Sequence, residues 1–116
     1  MLLADFIEAY GPTGASVDIE SCVKVLDSVF KPTRIYKNPD GILAVFDRGD
    51  YSTAYLIFAR FSKQLVTLIR DSSSMEHGEL IAETKDHRIA KLLGRFGFVV
   101  MKCNEGTETL KRGKYV

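Results

Sequence analysis

Thr84-Lys85-Asp86-His87-Arg88-Ile89-Ala90-Lys91-Leu92-Leu93-Gly94-Arg95-Phe96-Gly97-Phe98-Val99-Val100-Met101 is the stretch whose reading decides the fold. Ile89, Leu92, Leu93 and Phe96 recur at i, i+3, i+4 and i+7, so they share one face of a 3.6-residue helix, and that face must be buried. Asp86 is suited to cap the first free N–H groups, and Gly97 to adopt the left-handed conformation that ends a helix. The stretch therefore reads as a capped helix over 87–96 running directly into a buried strand over 98–103. Lys85, Arg88, Lys91 and Arg95 fall three or four apart on the remaining surface and read as a solvated basic stripe.

Upstream, Leu2, Leu3, Phe6, Ile7 and Tyr10 follow helical spacing until Gly11, Pro12 and Gly14 stop them. A second helix, capped by Ser16 or Asp18, carries Ile19, Cys22, Val23, Leu26, Val29 and Phe30 on one face as far as Pro32. Thr33 to Lys37 has strand composition, and Asn38-Pro39-Asp40-Gly41 is a turn in which proline fixes φ and glycine supplies a positive one. Gly41 to Asp47 is almost continuously apolar, as befits a central strand covered on both faces. Arg48-Gly49-Asp50 turns the chain into an alternating strand over Tyr51 to Phe61. In a chain without secretion features this tripeptide reads as a hairpin loop rather than an adhesion signal. Ser62-Lys63-Gln64 reads as a further turn, Leu65 to Arg70 as a strand that pairs back, and Asp71 to Gly78 as a polar loop before a short strand, Glu79 to Glu83. After the opening stretch, Asn104-Glu105-Gly106 turns into a last strand from Thr107 to Leu110.

The chain has 116 residues, 46% of them apolar, enough for one compact domain with a core and too few for two ordinary ones. Residues 1–58 carry five Lys/Arg against eight Asp/Glu, and residues 59–116 eleven against seven. This asymmetry is too mild for a dedicated nucleic-acid binder, for which the basic stripe and the tail Lys111, Arg112 and Lys114 are the only available footprint. Cys22 and Cys103 lie on apolar segments and are expected to be buried and reduced. His77 and His87 do not stand at zinc-ligand spacing with them, so no metal is expected. No secretory signal pattern and no membrane-length apolar run occurs, so a cytoplasmic or virion-associated protein is the default expectation.

The reading is thus a single α/β (α+β) domain over residues 1–116: a helical part over 1–32, an antiparallel meander over 33–70 and a strand-helix-strand-strand unit over 71–116. Two N-terminal helices and one C-terminal helix would pack on a mostly antiparallel, twisted sheet. This order resembles the GNAT superfamily of acyl-CoA-dependent N-acetyltransferases, and Asp86, Leu92, Leu93, Gly97 and Phe98 match its frame of a capped helix followed by Gly-Phe entering a strand. In active members the meander runs into an Arg/Gln-x-x-Gly-x-Gly/Ala loop and a helix whose free N–H groups hold the CoA pyrophosphate. Here Arg70 is followed by Asp71-Ser72-Ser73-Ser74, and the eight residues 71–78 leave no room for an ordinary helix before the next strand.

Where many active members place a tyrosine that protonates the leaving thiolate, this chain has Leu93, which has no proton to give. Cys103, Tyr51 or Tyr55 would replace it only if the fold brought them near, and Glu79 and Glu83 are candidate bases for an amine. No catalytic residue is assigned.

The combination resembles phage-encoded members of the superfamily, including internal virion proteins. That implies a non-enzymatic, degenerate acetyltransferase-like scaffold that works on a protein partner, as a virion component or on a host target, with assembly as a homo-oligomer left open. The alternative is a minimal N-acetyltransferase holding acetyl-CoA through Arg70, Ser72, Ser73, Ser74 and Arg88.

Overall fold

The computed structural model describes Leu3, Asp5 and residues 19–114, with the side chains of residues 58 and 59 left aside. Most of the first predicted helix, over 2–10, and both predicted caps of the second, Ser16 and Asp18, lie outside the described residues. Helix α1 (Ile19–Val25) widens into a π-helical turn (Leu26–Phe30). It closes with Lys31 in the left-handed region, its N–H on the Leu26 carbonyl at 3.1 Å, and Pro32 prevents continuation.

Strands β1 (Arg34–Asn38), β2 (Gly41–Asp47) and β3 (Tyr51–Ala59) form an antiparallel meander. The Pro39-Asp40 turn joins the first two, with the Asp40 N–H on the Asn38 side chain at 2.9 Å. Helix α2 (Lys63–Met75) then crosses over to β4 (Glu79–Thr84), which lies parallel to β3. Helix α3 (His87–Gly94) leads to β5 (Val99–Asn104), and β6 (Thr107–Arg112) returns between β4 and β5. The six-stranded, mostly antiparallel sheet has the order β1-β2-β3-β4-β6-β5.

The structure corrects the sequence reading at α2 and at β5, whose Cys103, expected to be buried, is exposed. The meander has three strands here, and Leu65 to Arg70, read as a fourth, belongs to α2, as do Asp71 to Met75, read as loop. Leu65, Leu68, Ile69 and Ser72 sit at i, i+3, i+4 and i+7 and are all buried, so the segment follows the helical period. Its six apolar-rich residues fitted alternation equally well until the cap is counted: Ser62 accepts the Leu65 N–H at 3.1 Å. A helix does precede β4. The second correction concerns β5, read as a buried strand, whose six residues are all exposed. The returning β6 takes the inner place and leaves β5 at the sheet edge.

Helices pack on both faces of the sheet and leave β5 uncovered. On one, Cys22 and Leu26 of α1 pack on Ile42, Ala44, Phe46 and Ile57. On the other, Leu65, Leu68 and Ile69 of α2 and Ile89, Leu92 and Leu93 of α3 pack on Leu43, Val45, Leu80, Ala82 and Leu110. Strand β2 is buried from Gly41 to Phe46, as its unbroken apolar run requires. The anticipated Asp86 cap is present, accepting the Arg88 N–H at 2.9 Å, and Gly97 adopts φ +92°. Cys22 is buried, Cys103 is exposed on β5, and both are free thiols. Among the described residues no helix is long and apolar enough to cross a membrane.

Candidate functional site

Parallel β3 and β4 pair only from Tyr51/Glu79 to Ala54/Ala82, although β3 continues to Ala59 and β4 to Thr84. The strands therefore part toward their carboxyl ends, and the N-termini of α2 and α3 both begin there. In open α/β sheets this is where ligands bind, since free N–H groups and the positive helix ends converge on it.

Here the chain's own side chains occupy both helix ends. At α2, Ser62 caps the Leu65 N–H while its hydroxyl donates to the Asp40 carboxylate at 2.5 Å. The Arg60 N–H bonds the Asp40 carbonyl at 2.8 Å, and the Asn38 side chain donates to the Gln64 carbonyl at 2.7 Å, fixing the turn to the β1–β2 hairpin. At α3, Asp86 caps the first turn and its carboxylate meets the Arg88 guanidinium at 3.0 Å. That hydrogen bond from Arg88 holds the Asp86 carboxyl below the usual carboxylate range. Arg88 also lies over the Phe61 ring, 4.4 Å from its centroid, so α3 and the β3–α2 turn are joined across the mouth of the gap. A phosphate arriving here meets two carboxylates and a three-residue turn, Arg60-Phe61-Ser62, without glycine.

The residues proposed from sequence to hold a cofactor are not gathered at this place. Arg70 and Ser72 to Ser74 lie in the second half of α2, and Arg70 is about 12 Å along the helix from Ser62 at 1.5 Å per residue. Arg70 is exposed and pairs with Asp71 at 3.2 Å. Ser72 and Ser73 are buried; the Ser72 hydroxyl donates to the Ile69 carbonyl, and the Ser74 hydroxyl to the Asp71 carbonyl. Of the five, Arg88 alone stands at the parting strands. Leu93 is packed in the core under α3. Tyr51 and Tyr55 alternate with Ala54 on β3 and so lie on the opposite sheet face, where Tyr55 meets Phe46 edge-on; neither reaches the place of Leu93. Glu79 pairs with Lys111 at 3.0 Å on that same opposite face, and Glu83 is exposed at the end of β4. Among the described residues no group of three or more His, Cys, Asp or Glu is placed to hold a metal ion.

Comparison of the chain with protein-family models, with curated proteins and with solved structures finds no match. The geometry alone speaks for function.

The most organised charged cluster lies at the other end of the sheet, and no motif marks it in the sequence. Glu76 caps the C-terminus of α2 and is buried; it accepts from Arg34 at 2.6 and 2.8 Å and from the Tyr36 hydroxyl at 2.5 Å. Arg34 also forks onto Asp47 at 2.6 and 3.1 Å, and Ser52 donates to Asp47 at 2.7 Å. Burial pushes the Glu76 carboxyl up, but the bonds from Arg34 and Tyr36 outweigh it and hold the group below its ordinary value. Burial, with the Glu76 bond, pushes the Tyr36 hydroxyl up to about 12. Next to this cluster the buried Arg112 guanidinium donates to the Ser73, Glu76 and Gly78 carbonyls and ties β6 to the end of α2. Every donor in this cluster faces an acceptor of the chain, which is the pattern of a lock between α2 and the sheet.

The remaining feature is the β5 edge. Val99, Val100 and Met101 are 68%, 47% and 57% exposed, a contiguous apolar run on a strand that among the described residues has a neighbour on one side only.

Proposed function

We propose that this protein is a non-enzymatic interaction module on a degenerate acetyltransferase-like fold, phage-encoded, and working in a virion or on a host target by contacting another protein. The observation that carries this reading is the occupied α2 N-terminus: Ser62 and the Asp40 carboxylate stand where a pyrophosphate would need bare N–H groups. The buried Leu93 adds to it, because it offers no proton at the leaving thiolate. The exposed β5 edge supplies the contact surface in this reading. Isothermal titration with acetyl-CoA tests it: no binding heat up to millimolar ligand is the expected result, and micromolar binding overturns it.

One observation favours a second reading, a minimal N-acetyltransferase. The parting of parallel β3 and β4 with α2 between them leaves main-chain groups of β3 beyond Ala54 unpaired with β4, as an extended ligand would require. In this reading the cofactor contacts move from Arg70 and Ser72 to Ser74 to the α2 N-terminal turn and Arg88. Turnover of acetyl-CoA, followed by thiol release in the presence of an amine mixture, should then appear, and should fall on Lys63→Glu substitution. Thiol release that the substitution leaves unchanged excludes the relocated site.

A further inference from the structure

We propose that the β4–β6–β5 half of the sheet carries, on the face away from α2 and α3, a binding site for a neutral saccharide centred on the Thr109 hydroxyl. This stands independently of the interaction-module reading. Leu110 of β6 enters the core under α2 and α3, so its neighbour Thr109 points to the other face, where α1 packs on residues of β2 and β3. Thr109 is nevertheless only 7% exposed, and among the described residues its hydroxyl has no hydrogen-bond partner. The hydroxyl is not sealed off, and the residue lines a cleft of about 290 Å³. A buried polar group that its own chain leaves without a partner is satisfied from outside the chain. The cleft has room for far more than the single water, about 30 Å³, that would serve.

The groups around Thr109 are balanced in sign. Antiparallel register sets Glu83 of β4 and Lys102 of β5 on either side of it, each one strand spacing of about 4.8 Å away. In the next row Asn104 pairs with Thr107, Lys85 follows Glu83 at i+2, and Glu105 at the hairpin tip completes the rim. Among the described residues Glu83 and Lys102 make no ion pair, so they flank the hydroxyl without closing over it. Two carboxylates and two ammonium groups leave the rim without net charge, and opposite charges at such short spacing cancel at a distance. An anion arriving here meets Glu83 and Glu105, and a cation meets Lys85 and Lys102. A saccharide suits all four, because each of its hydroxyls both donates and accepts. It donates to the carboxylates, accepts from the ammonium groups, and does either with Asn104, Thr107 and Thr109. Among the described residues that line the cleft none is aromatic, so recognition rests on hydrogen bonds and the affinity is modest.

The test titrates the isotope-labelled, 116-residue chain with glucose, galactose and N-acetylglucosamine, and with glycine and inorganic phosphate as zwitterionic and anionic comparisons. Amide shifts are followed by NMR. At least one sugar should give saturable shifts centred on residues 83–85 and 102–109, with a Kd on the order of 1–10 mM that added salt leaves unchanged. Thr109→Val should weaken that binding about fivefold, the worth of one hydrogen bond. The same variant should keep or gain stability in urea, because the hydroxyl has no partner in the fold to lose. Glu83→Ala and Lys102→Ala alter only exposed side chains and should each weaken the binding by a similar factor. Saturation by none of the three sugars, shifts centred elsewhere, tighter binding of glycine or phosphate than of any sugar, or a Thr109→Val variant that binds as the wild type does each overturn the proposal.

Discussion

Replacing Glu76 by glutamine tests whether the cluster at the end of α2 stabilises the fold as its geometry implies. Both carboxylate oxygens are in use: Oε1 accepts from Arg34, and Oε2 from Arg34 and Tyr36. Glutamine keeps the volume but turns an N–H₂ toward donors, so at least one charge-assisted bond is lost in a site where the side chain is only 7% exposed. Breaking a fully buried pair costs about 3–5 kcal/mol. Arg34, however, is partly exposed and keeps its fork onto Asp47, which lowers the expectation to about 2–3 kcal/mol. For a chain of this length that is a fall in Tm of roughly 8–15 °C.

The pH dependence adds an independent check. Because the folded-state pKa of Glu76 lies below the unfolded one, its contribution is complete above the unfolded value, about 4.3, and is lost as pH falls through the folded value. The wild type should therefore lose stability below about pH 4 more steeply than Glu76→Gln. Urea unfolding monitored by circular dichroism between pH 3 and pH 7, with Arg34→Met completing a double-mutant cycle, measures both effects. A variant within about 0.5 kcal/mol of wild type at pH 7, or one with an unchanged acid slope, refutes the argument.

Three further outcomes follow from the same structure. Tyr36 carries the converse dependence: its folded pKa is raised to about 12, so the stability it adds is whole below the unfolded value near 10 and is lost as pH rises toward 12. Tyr36→Phe should flatten that alkaline loss in unfolding curves. Gly97→Ala should cost about 1 kcal/mol, because φ is +92° while the added Cβ would stand an ordinary 3.5 Å from the Arg112 side chain; a stabilised variant would contradict this. Leu93→Ala should cost about 2–5 kcal/mol in urea unfolding, and a cost under 1 kcal/mol would mean the side chain is not packed as described.

Much of the local structure was legible in the residues. The Asp86 cap, the Ile89, Leu92, Leu93 face and the Gly97 stop each rest on interactions within a few positions and are found as read; the turn at 38–41 is present too, but Gly41 opens β2 without the positive φ expected of it. The α2 helix was misread because a six-residue apolar-rich run suits either period; Ser62, three residues before Leu65, was the signal that separates them. The candidate sites were less legible. Glu76 meets Arg34 across 42 positions, and nothing near either residue marks the pair. Likewise, Asp40 reaches Ser62 only because the β1–β2 turn and the start of α2 lie at the same end of the sheet.

By itself, then, the sequence determined the cap and stop of α3, the Pro32 end of the first described helix and the β1–β2 turn, since capping, φ preference and hydrophobic period act over a single turn of chain. Only the tertiary structure decided what those elements face. Val99-Val100-Met101 has the composition of a core strand, yet it is exposed because β6 returns inside it and leaves it at the edge. Burial is set by neighbours distant in sequence, and the order of strands in a sheet is not written in any one of them. The same ordering parts β3 from β4 and turns two capped helix ends toward the gap.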